Sequence, residues 1–167
     1  MSHLTTFTGK NIDTNYPRLE DIDIEDIAHA LSQLPVHGGH TYAFYSLAQR
    51  AVTVAKLVPE ECRKAALLME AACVYTERKG DLGDPENPSL IMRWHLAILE
   101  KFVVLEGSSK LTILHKTYWK VISTERRDLL NNWQMSCVYE PYPFGQLDMH
   151  PLTPDQAKHA FLKYFAD

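Results

Sequence analysis

Hydrophobic positions recur at helical spacing along most of this chain, and the first clear run is DIDIEDIAHALSQL. Its apolar side chains are mostly three or four residues apart, which is the pattern of a helix with one buried face. They are Ile22, Ile24, Ile27, Ala28, Leu31 and Leu34. Asp21 or Asp23 can cap the first turn, and the run PVHGGH ends this helix.

Two further helices are predicted in the next part of the chain. From about Ala43, the run AFYSLAQRAVTVAKLV keeps one apolar face and forms the second helix. Pro59 suits the first turn of a third helix, with Glu60 and Glu61 near its positive N-terminal end. We expect the third helix to continue through ECRKAALLMEAACVYTER and to end at KGDLGDPENP.

The C-terminal half of the chain has the pattern of three more helices. Ser89 can cap LIMRWHLAILEKFVVLE, and Gly107 ends that helix in the manner of a left-handed C-cap. A fifth helix begins near Ser109 and runs through LTILHKTYWKVISTERRDLLNNW. In the sixth helix, Thr153 is the N-cap and Gln156 completes a capping box in front of an amphipathic run.

These elements predict an all-α fold, a bundle of about six helices that forms one domain over residues 1–167. A polar N-terminal arm occupies 1–20. Residues 135–152 are rich in proline and aromatic side chains and have no usable period, so we expect an ordered loop there. The C-terminal helix covers 153–166.

Composition narrows the classes of protein that the chain can belong to. Apolar residues make up 46% and charged residues 23%, which is typical of soluble globular proteins. The formal charge of −4 provides no basic stripe, so nucleic acid is an unlikely partner. The three cysteines are far apart, which favours reduced thiols in a cytoplasmic protein. No run has the length of a signal peptide core or a membrane span.

Five segments in a fixed order resemble the small HD-domain phosphohydrolases encoded by phages and prophages. They are DIDIEDIAHALS, GHTYAFYSLAQ, AALLMEAACVY, STERRDLL and PLTPDQAKHAFL. In that family the second segment typically continues as YSVAQHS and the third as ALLHDAAEAYLGD. An AD pair also lies seven residues before the Glu of ATERRDL. The resemblance covers almost the whole chain and implies the HD-domain fold.

The resemblance also implies a metal site in the intact family members. One His from the second helix, a His-Asp pair from the third and an Asp from the fifth bind a divalent metal inside the bundle. Such an ion polarises a phosphate and generates hydroxide near neutral pH. These members hydrolyse phosphate esters, commonly those of nucleotides.

This chain departs from the family at each ligand position. By alignment of the segments, the four positions fall on Arg50, Met69, Glu70 and Tyr118. The Glu of HDAAEAY falls on Cys73, and the family's GD pair falls on 77–78. The losses are concentrated at the site and spare the scaffold segments.

The replacements argue against a bound metal. Arg50 would place a fixed positive charge where a cation must bind, and two such charges at about 4 Å repel by about 4 kcal/mol at an effective dielectric constant of about 20. Met69 offers a soft thioether, and Tyr118 is a neutral phenol. We therefore expect no metal, no cofactor and no catalytic residue here. Our hypothesis is that Arg50 pairs with Glu70 across the former metal cavity and that Tyr118 donates its hydroxyl to the same carboxylate.

Several other residues are candidates for a pocket. His37 and His40 could be new metal ligands, or structural histidines of the PVHGGHT turn. His115 could reach the cavity from one turn before Tyr118, or be a solvated helix residue. Cys73 could be a nucleophile if a base were close, but a small core residue is the better interpretation.

Two functions remain open from the sequence. The first is a catalytically inactive HD-domain-like protein of phage or prophage origin that acts by binding in the host cytoplasm. Its partner would be a host or defence protein that it inhibits or modulates stoichiometrically, or a nucleotide held in the vestigial pocket without turnover. The alternative is a metal-dependent nucleotide phosphohydrolase in which Glu70 and some of the histidines rebuild a non-standard site.

Overall fold

The computed structural model describes residues 3–76, 83–84, 87–102, 108–130 and 139–167, and these are mostly helical. The α-helices are α1 (Ile24–Gln33), α2 (Leu47–Leu57), α3 (Arg63–Leu68), α4 (Leu90–Phe102), α5 (Ser108–Leu129) and α6 (Pro154–Ala166). Short 3-10 helices cover Leu19–Asp21, Val36–Gly39, Glu60–Cys62 and Ala71–Val74. The strands are β1 (His3–Thr5), β2 (Asn11–Asp13), β3 (Gly83–Asp84) and β4 (Asn87–Pro88).

The helix starts follow local capping chemistry. Asp23 caps α1, where its side chain accepts a hydrogen bond from the Glu25 amide. Thr153 and Gln156 form the predicted capping box of α6. The second helix begins at Leu47, later than predicted, with Ser46 as its N-cap. The preceding residue, Tyr45, accepts a hydrogen bond at its carbonyl from the Val36 amide, so this backbone pairs with the segment after α1 instead of forming a helical turn.

The third helix is much shorter than the sequence predicts. It ends at Leu68, Met69 and Glu70 form a turn, and a 3-10 helix follows at Ala71–Val74. The alanine-rich run favours a continuous helix locally, but tertiary contacts on both sides of the turn override that preference. On its far side, the Tyr75 ring stacks on Trp94 with centroids 4.4 Å apart.

The N-terminal arm contains a hairpin that the sequence did not predict. Strands β1 and β2 pair antiparallel, with Leu4 opposite Ile12. Asp26 of α1 accepts hydrogen bonds from the Thr8 amide at 2.7 Å and from its hydroxyl at 2.9 Å. Ile12 is fully buried, so the arm contributes to the core.

Helix α2 is central in the bundle, since it packs against α1, α3, α5 and α6. Its buried aliphatic face includes Leu47, Val54 and Ala55. Because α2 is central, Arg50 on this helix lies in the interior of the protein. None of the helices within the described ranges is long and apolar enough to cross a membrane.

The loop between α5 and α6 is ordered over 139–152, without helix or strand. Backbone groups of the loop bond to side chains of the bundle: the buried Gln49 amide donates to the His150 carbonyl at 2.6 Å and accepts from the Leu152 amide at 3.0 Å. These hydrogen bonds hold the loop against the bundle, together with the packing of its aromatic side chains. Gly107 and residues 77–78, 131–138 lie outside the described residues.

Candidate functional site

Arg50 is buried in the middle of the bundle. It lies on α2 and is 5% exposed. A guanidinium removed from water is tolerated only where its donors meet acceptors, preferably charged ones. The contacts of Arg50 therefore define the site.

The principal partner of Arg50 is Glu125 of α5, which is completely buried. Arg50 Nε donates to the two carboxylate oxygens at 3.0 and 2.9 Å, and Nη2 donates to Oε2 at 2.6 Å. This is the two-pronged geometry in which arginine binds a carboxylate most strongly. It ties α2 to α5 through charge-assisted hydrogen bonds.

Glu70 is the second partner and confirms the predicted pair. Arg50 Nη1 donates to its Oε1 at 3.1 Å and lies 3.3 Å from Oε2. The Glu70 side chain is 18% exposed, so this pair is at the edge of the buried cluster. Because Glu70 occupies the turn after α3, the guanidinium connects that turn to α2 as well.

His37 reaches the same cluster from the turn between α1 and α2. Its Nε2 lies 3.0 Å from Glu125 Oε2 and 3.4 Å from Arg50 Nη2. Its backbone has φ 50° and ψ 31°, a left-handed conformation that costs a residue other than glycine about 1 kcal/mol or more. Gly38 and Gly39 continue in the same region, at φ 65° and 82°. The two glycines allow the turn that presents the imidazole to Glu125.

Tyr118 of α5 completes the cluster. Burial raises the pKa of its phenol, and the negative charge of Glu70 raises it further. The hydroxyl therefore stays protonated throughout the physiological range. Tyr118 thus lies close enough to Glu70 and Arg50 to interact with both, and the donation of its hydroxyl to the Glu70 carboxylate stays a prediction.

The charges in the cluster support one another. Burial opposes ionisation of Glu125, but the Arg50 charge and the hydrogen bonds from Arg50 and His37 outweigh it and lower the pKa of this carboxyl. Burial likewise opposes the guanidinium charge, and Glu125 with Glu70 raises the pKa of Arg50. Both groups are therefore charged at neutral pH, and each is the main reason that the other can be.

This arrangement does not fit a divalent metal. The carboxylate oxygens that could act as ligands already accept hydrogen bonds from Arg50, and the guanidinium charge lies within about 3 Å of them. The Arg50 guanidinium would repel a cation bound to the same oxygens by several kcal/mol. In the described part of the chain, no three His, Cys, Asp or Glu side chains are grouped so that they could hold a metal ion.

The remaining candidates do not join the cluster. Met69 lines a separate cavity between α3, α4 and α5. His115 lines that cavity too, and its Nε2 accepts a hydrogen bond from the Trp119 indole at 2.8 Å. His40 is exposed, so it does not form a pair with His37 in the cluster. Cys73 is half-buried in the 3-10 helix after Glu70.

Sequence reasoning missed the role of Glu125. In the sequence, Glu125 is only part of the STERRDLL segment that supports the resemblance, whereas in the structure it is the main anion of the site. A signal was present, because Glu125 falls on the buried stripe of α5, four residues after Val121 and four before Leu129. An acid on such a stripe indicates a buried partner, although the stripe alone does not say which one.

Fold and site together define a mostly helical domain whose interior is organised by a buried arginine between two glutamates. No family model matches the chain. It is 32% identical over 175 residues to the uncharacterized protein YfdR of Escherichia coli (strain K12), with 100% of this chain and 96% of the relative covered. The chain therefore belongs to the same family as YfdR.

Breaking the buried pair by removal of one partner should strongly destabilise the bundle. Replacing Glu125 by Gln leaves the Arg50 charge inadequately paired, so we expect the free energy of unfolding to fall by about 3 to 5 kcal/mol. Glu70→Gln should cost about 1 kcal/mol, since Glu70 is partly exposed and Glu125 remains. Urea denaturation measures both. Glu100→Gln, at an exposed position of α4, is the control; a Glu125→Gln loss no larger than that of the control would contradict this ranking.

Acid should weaken the protein through the same carboxylate. The folded state lowers the pKa of Glu125 below its ordinary value of 4.5, so its contribution is fully present above that pH and is lost as pH falls through the folded-state pKa. As the pH falls below about 4.5, the stability of the wild type should therefore fall more steeply than that of Glu125→Gln. If urea denaturation showed that the two proteins lose stability equally over this range, the ionisation of Glu125 would not contribute to the stability.

Proposed function

We propose that this protein is a catalytically inactive HD-domain-like protein of phage or prophage origin that acts by binding. The proposal combines the sequence resemblance with the geometry of the buried cluster. Of the four positions that the resemblance assigns to metal ligands, Arg50, Glu70 and Tyr118 lie together in the structure. Met69 is next to Glu70 in the sequence, but it lines the separate cavity between α3, α4 and α5.

The observation that carries the proposal is the position of the Arg50 guanidinium. In the intact family, as the resemblance implies, a metal joins the second, third and fifth helices. Here Arg50 on α2 bonds to Glu70 after α3 and to Glu125 on α5. A covalently attached cation thus connects the same three parts of the bundle, so the scaffold can persist without the ion.

The groups of the cluster are poorly suited to hydrolysis. A general base must be accessible and must hold a pKa near the working pH. Glu125 is fully buried, and Arg50 lowers its pKa against the effect of burial. The Tyr118 phenol is held protonated by burial and by Glu70, which raise its pKa. The cluster is therefore better suited to stabilising a fold than to activating water.

We further propose that the binding partner is a host or defence protein that is inhibited or modulated in the host cytoplasm. The loop after α5 offers an anchor of the kind that protein interfaces favour. Phe144 is 82% exposed, and Arg127 stacks on its ring at 3.8 Å. The Arg127 guanidinium holds the Phe144 ring on the surface, directly after Pro143, where a partner can contact it.

The first arm of the test addresses catalysis. Purified protein should not hydrolyse a panel of deoxynucleotides in the presence of Mn²⁺, Co²⁺ or Zn²⁺ faster than its Glu70→Ala variant does, because the carboxylates of the Arg50 cluster are already paired with the guanidinium. Elemental analysis of the same sample should find no stoichiometric transition metal. Turnover that Glu70→Ala abolishes would instead establish the phosphohydrolase alternative.

The second arm addresses binding. Tagged protein should capture a specific host protein at close to one-to-one stoichiometry, and Phe144→Ser should reduce the capture. Tyr16→Ser is the matched control, since Tyr16 is also an exposed aromatic, at 67%. Equal capture by both variants would remove Phe144 from the interface, and the absence of any specific partner would contradict a function through protein binding.

A further inference from the structure

A second feature of the molecule, apart from the Arg50 cluster, is a cavity of about 730 Å³ between α3, α4 and α5. Its described lining includes none of the charged residues of the cluster. Apolar atoms make up most of its surface, and the apolar side chains include Met69, Leu99, Leu111 and Leu114. Small-molecule sites in proteins have this size and this mainly apolar character, with a few polar groups that fix orientation.

The polar side chains at this cavity are either positively charged or neutral. They include Lys116, His95, His115 and Tyr139, and no Asp or Glu is among the described lining residues. The chain as a whole has a formal charge of −4. A cavity whose described lining has a lysine and no acid, in a protein with an excess of acids, is complementary to an anion.

The two histidines add hydrogen-bond donors. His115 Nε2 accepts from the Trp119 indole N–H, so the proton of its neutral ring is on Nδ1, which can donate. Burial lowers the pKa of His95, which therefore enters the cavity as a neutral imidazole with one donor. Together with the Lys116 ammonium, these groups can bind the oxygens of an acid while the leucines cover its apolar body.

We propose that this cavity binds small organic anions that combine an aromatic or aliphatic body with a single carboxylate or sulfonate. The argument rests on the cavity volume, its apolar wall and the sign of its polar groups. It does not depend on the function proposed above, because the Arg50 cluster contributes no lining residue.

The probe for the test is 1-anilinonaphthalene-8-sulfonate, whose fluorescence rises when its rings leave water. We expect saturable binding by the intact protein at a stoichiometry of one, with displacement by 2-naphthoate. The neutral amide, 2-naphthamide, has the same rings without the charge and should displace the dye at least threefold less effectively, since a charge-assisted hydrogen bond is about twice as strong as a neutral one.

Two pairs of variants locate the dye. Leu111→Glu brings a negative charge to the cavity wall and should weaken binding at least tenfold, whereas Leu96→Glu should not. The two leucines are 54% and 55% exposed, so the variants are matched for their effect on folding. Lys116→Gln should weaken binding about threefold or more, and Lys163→Gln, on α6, should leave it unchanged.

Three results would each overturn the proposal. The first is an absence of saturable dye binding at millimolar protein. The second is equal weakening by Leu111→Glu and Leu96→Glu, because the dye would then report the exposed apolar surfaces of α4 and α5. The third is equal displacement by 2-naphthoate and 2-naphthamide, which would show that the cavity does not select for an anion.

Discussion

The buried charge of Arg50 is the constraint on which the rest of this structure depends. A guanidinium that is 5% exposed must be surrounded by acceptors, and Glu125 and Glu70 supply them from two different parts of the chain. The need to pair one charge therefore fixes the relative positions of α2, α5 and the turn after α3. His37, in a left-handed backbone conformation, adds a fourth segment to the same point.

Such a cluster contributes specificity of structure more than net stability. Removing a charged pair from water costs several kcal/mol per ion, and the attraction within the pair offsets that cost only when the geometry is good. Here the Arg50 donors each meet a carboxylate oxygen between 2.6 and 3.3 Å away. Any packing of the bundle that moved α5 along α2 would separate Glu125 from Arg50 and leave a buried carboxylate without its main partner. The cluster therefore selects one arrangement of the helices.

Much of the helical fold could be predicted from the sequence, because periodicity and capping are local. The caps at Asp23 and Thr153 and the start of α5 follow from neighbouring residues alone. The Arg50 to Glu70 contact came from the resemblance, and the structure contains it. The break at Glu70, the N-terminal hairpin and the role of Glu125 depend on contacts between residues far apart in the chain. Helical periodicity indicates that Glu125 is buried, but no local rule supplies its partner.

The central claim is that the positive charge at the centre of the bundle is the Arg50 guanidinium, paired there with Glu125 and Glu70. The most direct measurement is the Nε–H resonance of Arg50 in nitrogen-labelled protein, assigned by its loss in Arg50→Lys. The account predicts slow exchange with water, because Nε donates to a fully buried carboxylate, and no change when equimolar Zn²⁺ or Mn²⁺ is added. Rapid exchange, or a shift of this resonance on binding of the metal, would contradict it.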